Sequence, residues 1–370
     1  MRVRLICSRL ASLLLLCSAA SSLASCDPVG YPAYDRTQLL TEVTDSLIVP
    51  ALHEQTTRAT GLHTATTALC TTTNATTLAA ARTAWVDALV AWNGTVAYQF
   101  GPAPMLDFEA HASWPTDPVA IEAIVAGTDT IDAHYIDTLG SRTRGFSTLE
   151  YLLFAYPGYT TADDAMTLTA LGNARRCTYA AMVADELARL ATQLETAWSP
   201  SGGNFRDVFV NASDPNTYTT PQAAVNALVS QVIEAIDQVR DDKVGTPLGR
   251  TTHTGGVQSP YAHASVAAME ACLGSASDAW HGTPHGLDAF LRTRNERLAT
   301  SVSSEFTAAE AAIMALESPP LTPAWESYVA GATHTEGDAA YDRLQTLQAS
   351  LSSDVAATLG LSLVLPGDGD

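Results

Sequence analysis

The stretch GFSTLEYLLF (residues 145–154) has the residue types and spacing of a metal half-site, with one position altered. Side chains three positions apart on a helix project from the same face, so Ser147 and Glu150 would lie together. A histidine at 147 would join Glu150 as a second metal ligand, whereas a serine hydroxyl is a weak, neutral ligand. The stretch is therefore either a metal site that has lost a ligand or a helix that never held one.

A structural role is the alternative for Glu150. The apolar run Tyr-Leu-Leu-Phe follows it, which predicts that the carboxylate is partly buried. A buried carboxylate needs polar partners, and a salt bridge to a nearby arginine would provide one. The candidate arginines are Arg142, Arg144, Arg175 and Arg176.

Several common enzyme classes are not indicated by the sequence. It contains neither the G-x-S-x-G motif of α/β-hydrolases nor the H-E-x-x-H motif of zinc peptidases. It also lacks a P-loop and the glycine-rich fingerprint of dinucleotide-binding folds. No C-x-x-C or Cys/His zinc pattern is present. Any catalytic or metal-binding function of this protein therefore depends on residues outside these motifs.

The composition indicates a folded, acidic protein. The chain has 370 residues, of which 46% are hydrophobic and 16% charged, so a sizeable core can form. The formal net charge is −20, which repels nucleic acid and anionic lipid headgroups. We therefore expect no nucleic-acid partner.

The N-terminus predicts export and lipid anchoring. Residues 1–25 contain arginines, no acid and an apolar run that is too short to span a membrane, as in a secretory signal. The sequence LASC, ending at Cys26, resembles a bacterial lipobox, which implies that Cys26 becomes the lipidated first residue. An ordinary signal with a chance cysteine is the alternative. Residues 26–37 are predicted to be a tether. The expected location is the bacterial cell envelope, facing the periplasm or the cell surface.

Three cysteines remain after the predicted lipid-bearing residue: Cys70, Cys177 and Cys272. An exported compartment permits disulfides, and an odd number allows at most one pair within the chain. Cys70 and Cys177 each lie beside a helical pattern in the same half of the chain, so we predict that they pair. Three free thiols are the alternative.

The pattern of apolar residues predicts an all-α protein. From Gln38 onward apolar residues recur at spacings of three and four, and alanine is abundant. This predicts eight to ten helices, one of them running over Gly286–Met314, and short connections imply antiparallel bundles. The segment SPSGGNF (199–205) divides the chain into an N-terminal bundle (38–198) and a C-terminal bundle (199–370). One continuous bundle is the alternative.

A series of short motifs resembles the imelysin family, also called insulin-cleaving metalloprotease-like proteins. The motifs are, in order, FGP at 100–102, WP at 114–115, GFSTLEYLLF, KVGTPLG in the second half and the ending PGDGD. The resemblance covers nearly the whole mature chain. It implies an exported, often lipid-anchored all-α protein with two helical bundles, in a duplicated four-helix-bundle arrangement. Family members are associated with iron acquisition, and a minority have been described as peptidases.

The resemblance also implies a site. The family hallmark is G-x-H-x-x-E, whose three positions Gly145, Ser147 and Glu150 occupy here, so the motif is degenerate. His263, in SPYAHAS, lies where the family shows a short polar motif in the second half. A relocated iron or zinc site made by Glu150 and His263 is therefore one hypothesis. The other is that His263 caps or packs a helix.

Three functions follow from the resemblance. The first is a non-catalytic binding component for iron, another metal or haem, whose partner is an iron- or haem-uptake protein of the envelope. The second is a metallopeptidase, which requires a complete metal site. The third is an envelope scaffold that binds another protein.

Overall fold

The computed structural model describes residues 34–364, apart from 254, 283, 318–320 and 322. Within these residues the regular structure is helical and no strand occurs, which confirms the all-α class. The predicted signal peptide (1–25), Cys26 and most of the predicted tether lie outside the described residues.

Seventeen α-helices occur in the described ranges, more than the eight to ten predicted, because several have only four to six residues. They are α1 (Arg36–Val43), α2 (Val49–Thr71), α3 (Ala75–Asn93), α4 (Phe108–Ala112), α5 (Pro118–Ala126), α6 (Ala133–Asp137), α7 (Gly145–Phe154), α8 (Asp164–Leu171), α9 (Ala174–Trp198), α10 (Phe205–Val210), α11 (Pro221–Asp237), α12 (Ser265–His281), α13 (Leu287–Arg292), α14 (Glu296–Met314), α15 (Trp325–Tyr328), α16 (Thr335–Ala349) and α17 (Ala356–Leu359). Short 3₁₀ segments are Val96–Tyr98, Ala103–Leu106 and Ser141–Thr143, and π-helical segments are Thr44–Ile48, Gln238–Gly245 and Ser350–Val355.

Polar residues at helix starts explain where many of these helices begin. The Asn74 side chain accepts backbone N–H bonds from the first turn of α3, and Thr220 does the same for α11. Asp35 caps α1, and Tyr34 stacks on Phe290 with ring centroids 4.5 Å apart. The last residues of the predicted tether therefore belong to the folded part.

Four helices of the first half pack together around an apolar core. Helix α2 packs against α3 and α9, and α7 packs against the same two helices. Trp85 and Trp92 on α3 are buried and contact Phe146 at the start of α7, edge to face. This packing fixes the position of the helix that carries the G-x-S-x-x-E motif.

The second half contributes α11, α12, α14 and α16, and α12 also packs against α3. Hydrogen bonds join the halves, because Ser275 on α12 bonds both Ala97 and Tyr98. Residues from Tyr34 onward form one compact unit. The division at 199–205 and the duplication of a four-helix unit stay predictions. None of the helices in the described chain combines the length and apolar character needed to cross a membrane.

A disulfide joins Cys70 and Cys177, the pair that the sequence predicted, and ties the end of α2 to the start of α9. The third cysteine of the described chain, Cys272, is buried as a free thiol in α12. The odd cysteine is therefore part of the second-half core.

Removing this disulfide should destabilise the fold. The bond links residues 107 positions apart, so it restricts the unfolded chain over a long loop. We expect the double variant Cys70→Ala/Cys177→Ala to lose about 2–4 kcal/mol of unfolding free energy, measured by urea denaturation. Reductant should move the wild-type midpoint toward that of the variant and leave the variant unchanged. An unchanged wild-type midpoint in reductant would contradict the prediction.

Candidate functional site

The motif helix α7 lies inside the protein, with Ser147 5% and Glu150 1% exposed. Its first residues are fixed by a hydrogen bond from the Trp85 indole Nε1 to the Phe146 carbonyl, at 3.1 Å. A buried helix with polar side chains needs a partner for each of them. Those partners show what the motif does.

The N-terminal end of the motif holds the segment 111–113. Gly145 has a φ of 74°, and a Cβ atom there would lie 2.2 Å from the His111 carbonyl oxygen. Ser147 Oγ donates to the Ser113 carbonyl at 2.9 Å. On its other side His111 is fixed by Glu186, with Nε2 and Oε1 3.1 Å apart. The serine at the family's histidine position therefore supports the backbone.

The C-terminal end of the motif holds a second segment. Glu150 Oε1 accepts the backbone N–H groups of Tyr261 and Ala262, at 2.9 and 2.8 Å. Burial raises the pKa of the Glu150 carboxyl to about 8; the two N–H donors oppose this rise and the Glu326 carboxylate adds to it. At neutral pH much of the Glu150 population is consequently uncharged.

The predicted salt bridge of Glu150 to an arginine is wrong for two of the candidates. Arg144 pairs with Asp107 at 2.8 Å, and Arg176 pairs with Glu122 at 2.5 Å. The partners of Glu150 are backbone groups more than a hundred residues away along the chain, so short-range sequence spacing could not identify them.

His263 follows the segment that Glu150 holds, so the structure brings the two predicted ligands to one region. The His263 imidazole is 56% exposed, and its Nδ1 lies 3.3 Å from Glu326 Oε2. The residue has a φ of 55°, which places it in a left-handed turn before α12. The imidazole thus pairs with Glu326 at the surface.

The side chains at the motif do not fit a metal ion. A structural metal site needs about four ligands and a catalytic one about three. Over the described ranges, no three His, Cys, Asp or Glu residues are grouped so that they could hold a metal. Ser147 Oγ donates its proton to a carbonyl, and Glu150 Oε1 already accepts two N–H bonds. The relocated site of Glu150 and His263 stays a prediction that this geometry does not favour.

A cavity of about 190 Å³ lies beside the segment that Ser147 holds. One wall is the end of α3 with Ser113 and Trp114, and the other is the π-helical segment Gln238–Gly245. π-Helical segments that interrupt α-helical chain are frequent at functional sites, and this one directly follows α11. The cavity is therefore a candidate site in its own right.

Lys243 lies in the lining of this cavity and is 2% exposed. Its Nζ donates to Asn93 Oδ1 at 2.9 Å and to Gln258 Oε1 at 2.8 Å. Nζ also lies 4.8 Å from the centroid of the Trp114 ring. Burial lowers the pKa of the Lys243 ammonium to about 8.

Lys243 belongs to the KVGTPLG motif, and no role for it was predicted from the sequence. A usable signal was present, because Lys243 is the only lysine in the chain beside eighteen arginines. A lone lysine among so many arginines stands out as a position where a compact ammonium is needed.

Two motif residues are connected to this cavity, one directly and one through an intermediate residue. Ser147 bonds Ser113, which lines the wall. Glu150 fixes Tyr261 and Ala262, just after Gln258, the residue that accepts a hydrogen bond from Lys243. Ser147 is therefore a positioning residue for the cavity wall, and Glu150 acts on the lining only through the segment that carries Gln258.

A curated protein matches part of the chain in sequence. The chain is 28% identical over 208 residues to iron-regulated protein A of Synechococcus elongatus, covering 55% of this chain and 53% of that protein. The chain thus spans about half the length of that curated relative.

Two solved structures share the fold. An imelysin-like protein from Psychrobacter arcticum has a TM-score of 0.73 at 17% identity, covering 91% of this chain and all of that one. A putative iron-regulated protein A precursor from Parabacteroides distasonis has a TM-score of 0.75 at 18% identity, covering 90% of this chain and 97% of that one. The imelysin family model (Peptidase_M75) matches residues 48–353, most of the sequence. The chain belongs to the imelysin family.

Proposed function

We propose that this imelysin is an exported, lipid-anchored protein of the bacterial cell envelope that serves iron or haem acquisition as a non-catalytic binding component. Support for the iron relation comes from the family and from two relatives whose names describe them as iron-regulated proteins. Support for anchoring comes from the lipobox-like sequence that ends at Cys26.

The main support for a non-catalytic role is that the motif side chains form hydrogen bonds to the protein backbone. A metallopeptidase needs a firmly held metal with an open position for water or substrate. Here Ser147 and Glu150 bond the backbone of segments that are remote in sequence. The motif thus acts as a structural support, which favours a binding protein over a peptidase.

Growth under iron limitation tests the role. A strain that lacks this protein should grow more slowly than its parent with a ferric chelate or haem as the only iron source, and equally well in iron-replete medium. Wild type and Glu150→Gln should both restore growth, because glutamine keeps an oxygen that accepts the Tyr261 and Ala262 N–H groups. Normal growth of the deletion strain under iron limitation would overturn the iron role and favour the envelope scaffold.

Metal titration of the purified full chain, without a histidine tag, separates the alternatives further. We expect Glu150→Gln and His263→Ala to bind Fe(II), Fe(III), Zn(II) and Cu(II) as the wild type does. Tight one-to-one binding that is lost in both variants would establish the relocated site and contradict this assignment. Proteolysis that a chelator abolishes would establish the metallopeptidase.

A further inference from the structure

The cavity beside the motif encloses a positive charge that no carboxylate of the described residues neutralises by a salt bridge. Of the two carboxylates next to Lys243 in sequence, Asp241 pairs with Arg240 at 2.6 Å, and Asp242 lies 3.2 Å from His253 Nδ1. The two hydrogen-bond acceptors of Lys243 are neutral amide oxygens. Asp242 acts on the ammonium from a distance and raises its pKa, but it makes no direct ion pair with Lys243 Nζ among the described residues, so an anion in contact with Nζ would be stabilising.

The same region has more hydrogen-bond donors than acceptors. Trp92 lines the cavity, and its indole N–H is buried without an acceptor among the described residues. The Gln258 side-chain NH₂, next to Lys243, is buried without an acceptor as well. The Lys243 ammonium has three donors, of which two are used by Asn93 and Gln258. A ligand in the cavity that supplies acceptor oxygens could satisfy the donors of its lining residues Trp92 and Lys243, whereas Gln258 lies outside the lining.

The size and the walls of the cavity limit what the ligand can be. A cavity of about 150 Å³ is large enough for benzene, and this one measures about 190 Å³. Trp114 gives it an aromatic surface against which a planar body can pack, whereas the buried Trp92 ring already stacks on Phe108. Asp242 also lines the cavity and its carboxylate repels anionic ligands, so a ligand with one negative charge is favoured over a ligand with two.

We propose that this cavity is a binding site for a small monocarboxylate with a planar apolar body, whose carboxylate is held by Lys243 and the Trp92 indole N–H. The Trp114 ring forms the packing surface for the body. The site is separate from any metal chemistry of the motif, and it does not depend on the proposed role in iron acquisition.

The single lysine allows a direct test. Full-length protein labelled with ¹³Cε-lysine gives one protein lysine resonance, that of Lys243. Benzoate should shift this resonance saturably and raise the midpoint of its pH titration by about one pH unit or more, since an anion favours the charged ammonium. Benzamide has the same shape without the charge and should produce neither change, and sulfate at equal ionic strength should also produce neither.

Two variants locate the site. Trp92→Phe keeps an aromatic ring but removes the N–H donor, and it should weaken benzoate binding several-fold. Lys243→Met, followed by calorimetry, should abolish benzoate binding; it is expected to fold, because an apolar side chain of similar size replaces a buried charge. Asp242→Asn should bind benzoate at least as tightly as the wild type.

Three results would overturn the proposal. The first is a lysine resonance that does not respond saturably to benzoate, which would leave Lys243 as a structural link between α3 and the Gln258 segment. The second is an equal response to benzamide or sulfate. The third is benzoate affinity that is the same in wild type, Trp92→Phe and a folded Lys243→Met, which would place the binding elsewhere.

Discussion

Gly145→Ala is expected to lower the free energy of unfolding by about 2–6 kcal/mol. Two costs add up at this position. A non-glycine residue at a positive φ costs on the order of 1–3 kcal/mol, and Gly145 has a φ of 74°. The new Cβ would also lie 2.2 Å from the His111 carbonyl oxygen, and overpacking of this kind costs about 1–3 kcal/mol or more.

The His111 backbone cannot easily move to relieve that contact. Its imidazole is 3% exposed and is held at both nitrogens, by the Asp107 carbonyl at 2.8 Å and by Glu186 at 3.1 Å. The next residues lead to Ser113 in the cavity wall. Any displacement forced by Gly145→Ala should therefore reach the cavity as well as the motif.

Gly140→Ala is the matched control for this prediction. Gly140 lies five residues earlier, has a φ of −74°, and has open space where its Cβ would be. Its replacement should change stability by less than about 1 kcal/mol. Urea denaturation of the two variants beside the wild type measures both effects. Equal midpoints for Gly145→Ala and Gly140→Ala would show that the close approach at Gly145 is not a constraint on the fold.

Much of the fold could be predicted because its determinants are local. Apolar spacing and start signals such as Thr220 before Pro221 predict α11 directly. The predicted helix over Gly286–Met314 is wrong in one respect, because the structure breaks it into α13 and α14. Asn295 causes the break, since its side chain accepts the Leu298 N–H and caps α14. The spacing of apolar residues continues across Asn295, so the sequence pattern did not reveal that the helix ends there.

The candidate site was less predictable because its determinants are not local. The sequence places Ser147 and Glu150 on one helix, and the structure agrees. It does not show that Ser147 bonds Ser113, 34 residues earlier, or that Glu150 bonds Tyr261, 111 residues later. The burial of Lys243 likewise arises only when α3 and the π-helical segment meet. Contacts between residues that are remote in sequence therefore determine whether a motif residue binds a metal or supports the backbone.

Glu150 is expected to make the protein less stable as the pH rises from about 5 to 8. Its carboxyl has a pKa raised from 4.5 to about 8 in the folded state, mainly by burial. The folded state therefore holds a proton that the unfolded state has released over this range. Because stability falls with pH wherever the folded state binds more protons, this contribution is fully present below about pH 4.5 and is lost by about pH 8. The loss is on the order of 5 kcal/mol, since the pKa differs by about 3.5 units and each unit is worth about 1.4 kcal/mol.

Glu150→Gln isolates this contribution from those of the other titrating groups. Glutamine is uncharged at every pH and keeps an oxygen for the Tyr261 and Ala262 N–H groups. Its unfolding free energy, measured in urea at pH 5, 6, 7 and 8, should decline less steeply than that of the wild type. Glu54→Gln changes an exposed carboxylate on α2 and should follow the wild-type curve. Parallel curves for wild type and Glu150→Gln would refute the protonated state of Glu150.

Glu150→Ala distinguishes the support role from the charge effect. Alanine leaves two backbone N–H groups without their acceptor, and each buried donor left unsatisfied costs about 1–3 kcal/mol. This variant should therefore be less stable than Glu150→Gln at every pH tested. It should also perturb the Lys243 environment, because the freed segment begins just after Gln258, which bonds the lysine. If Glu150→Ala matched Glu150→Gln in stability throughout, the hydrogen bonds to Tyr261 and Ala262 would have no structural value, and a ligand role for the carboxylate would regain support.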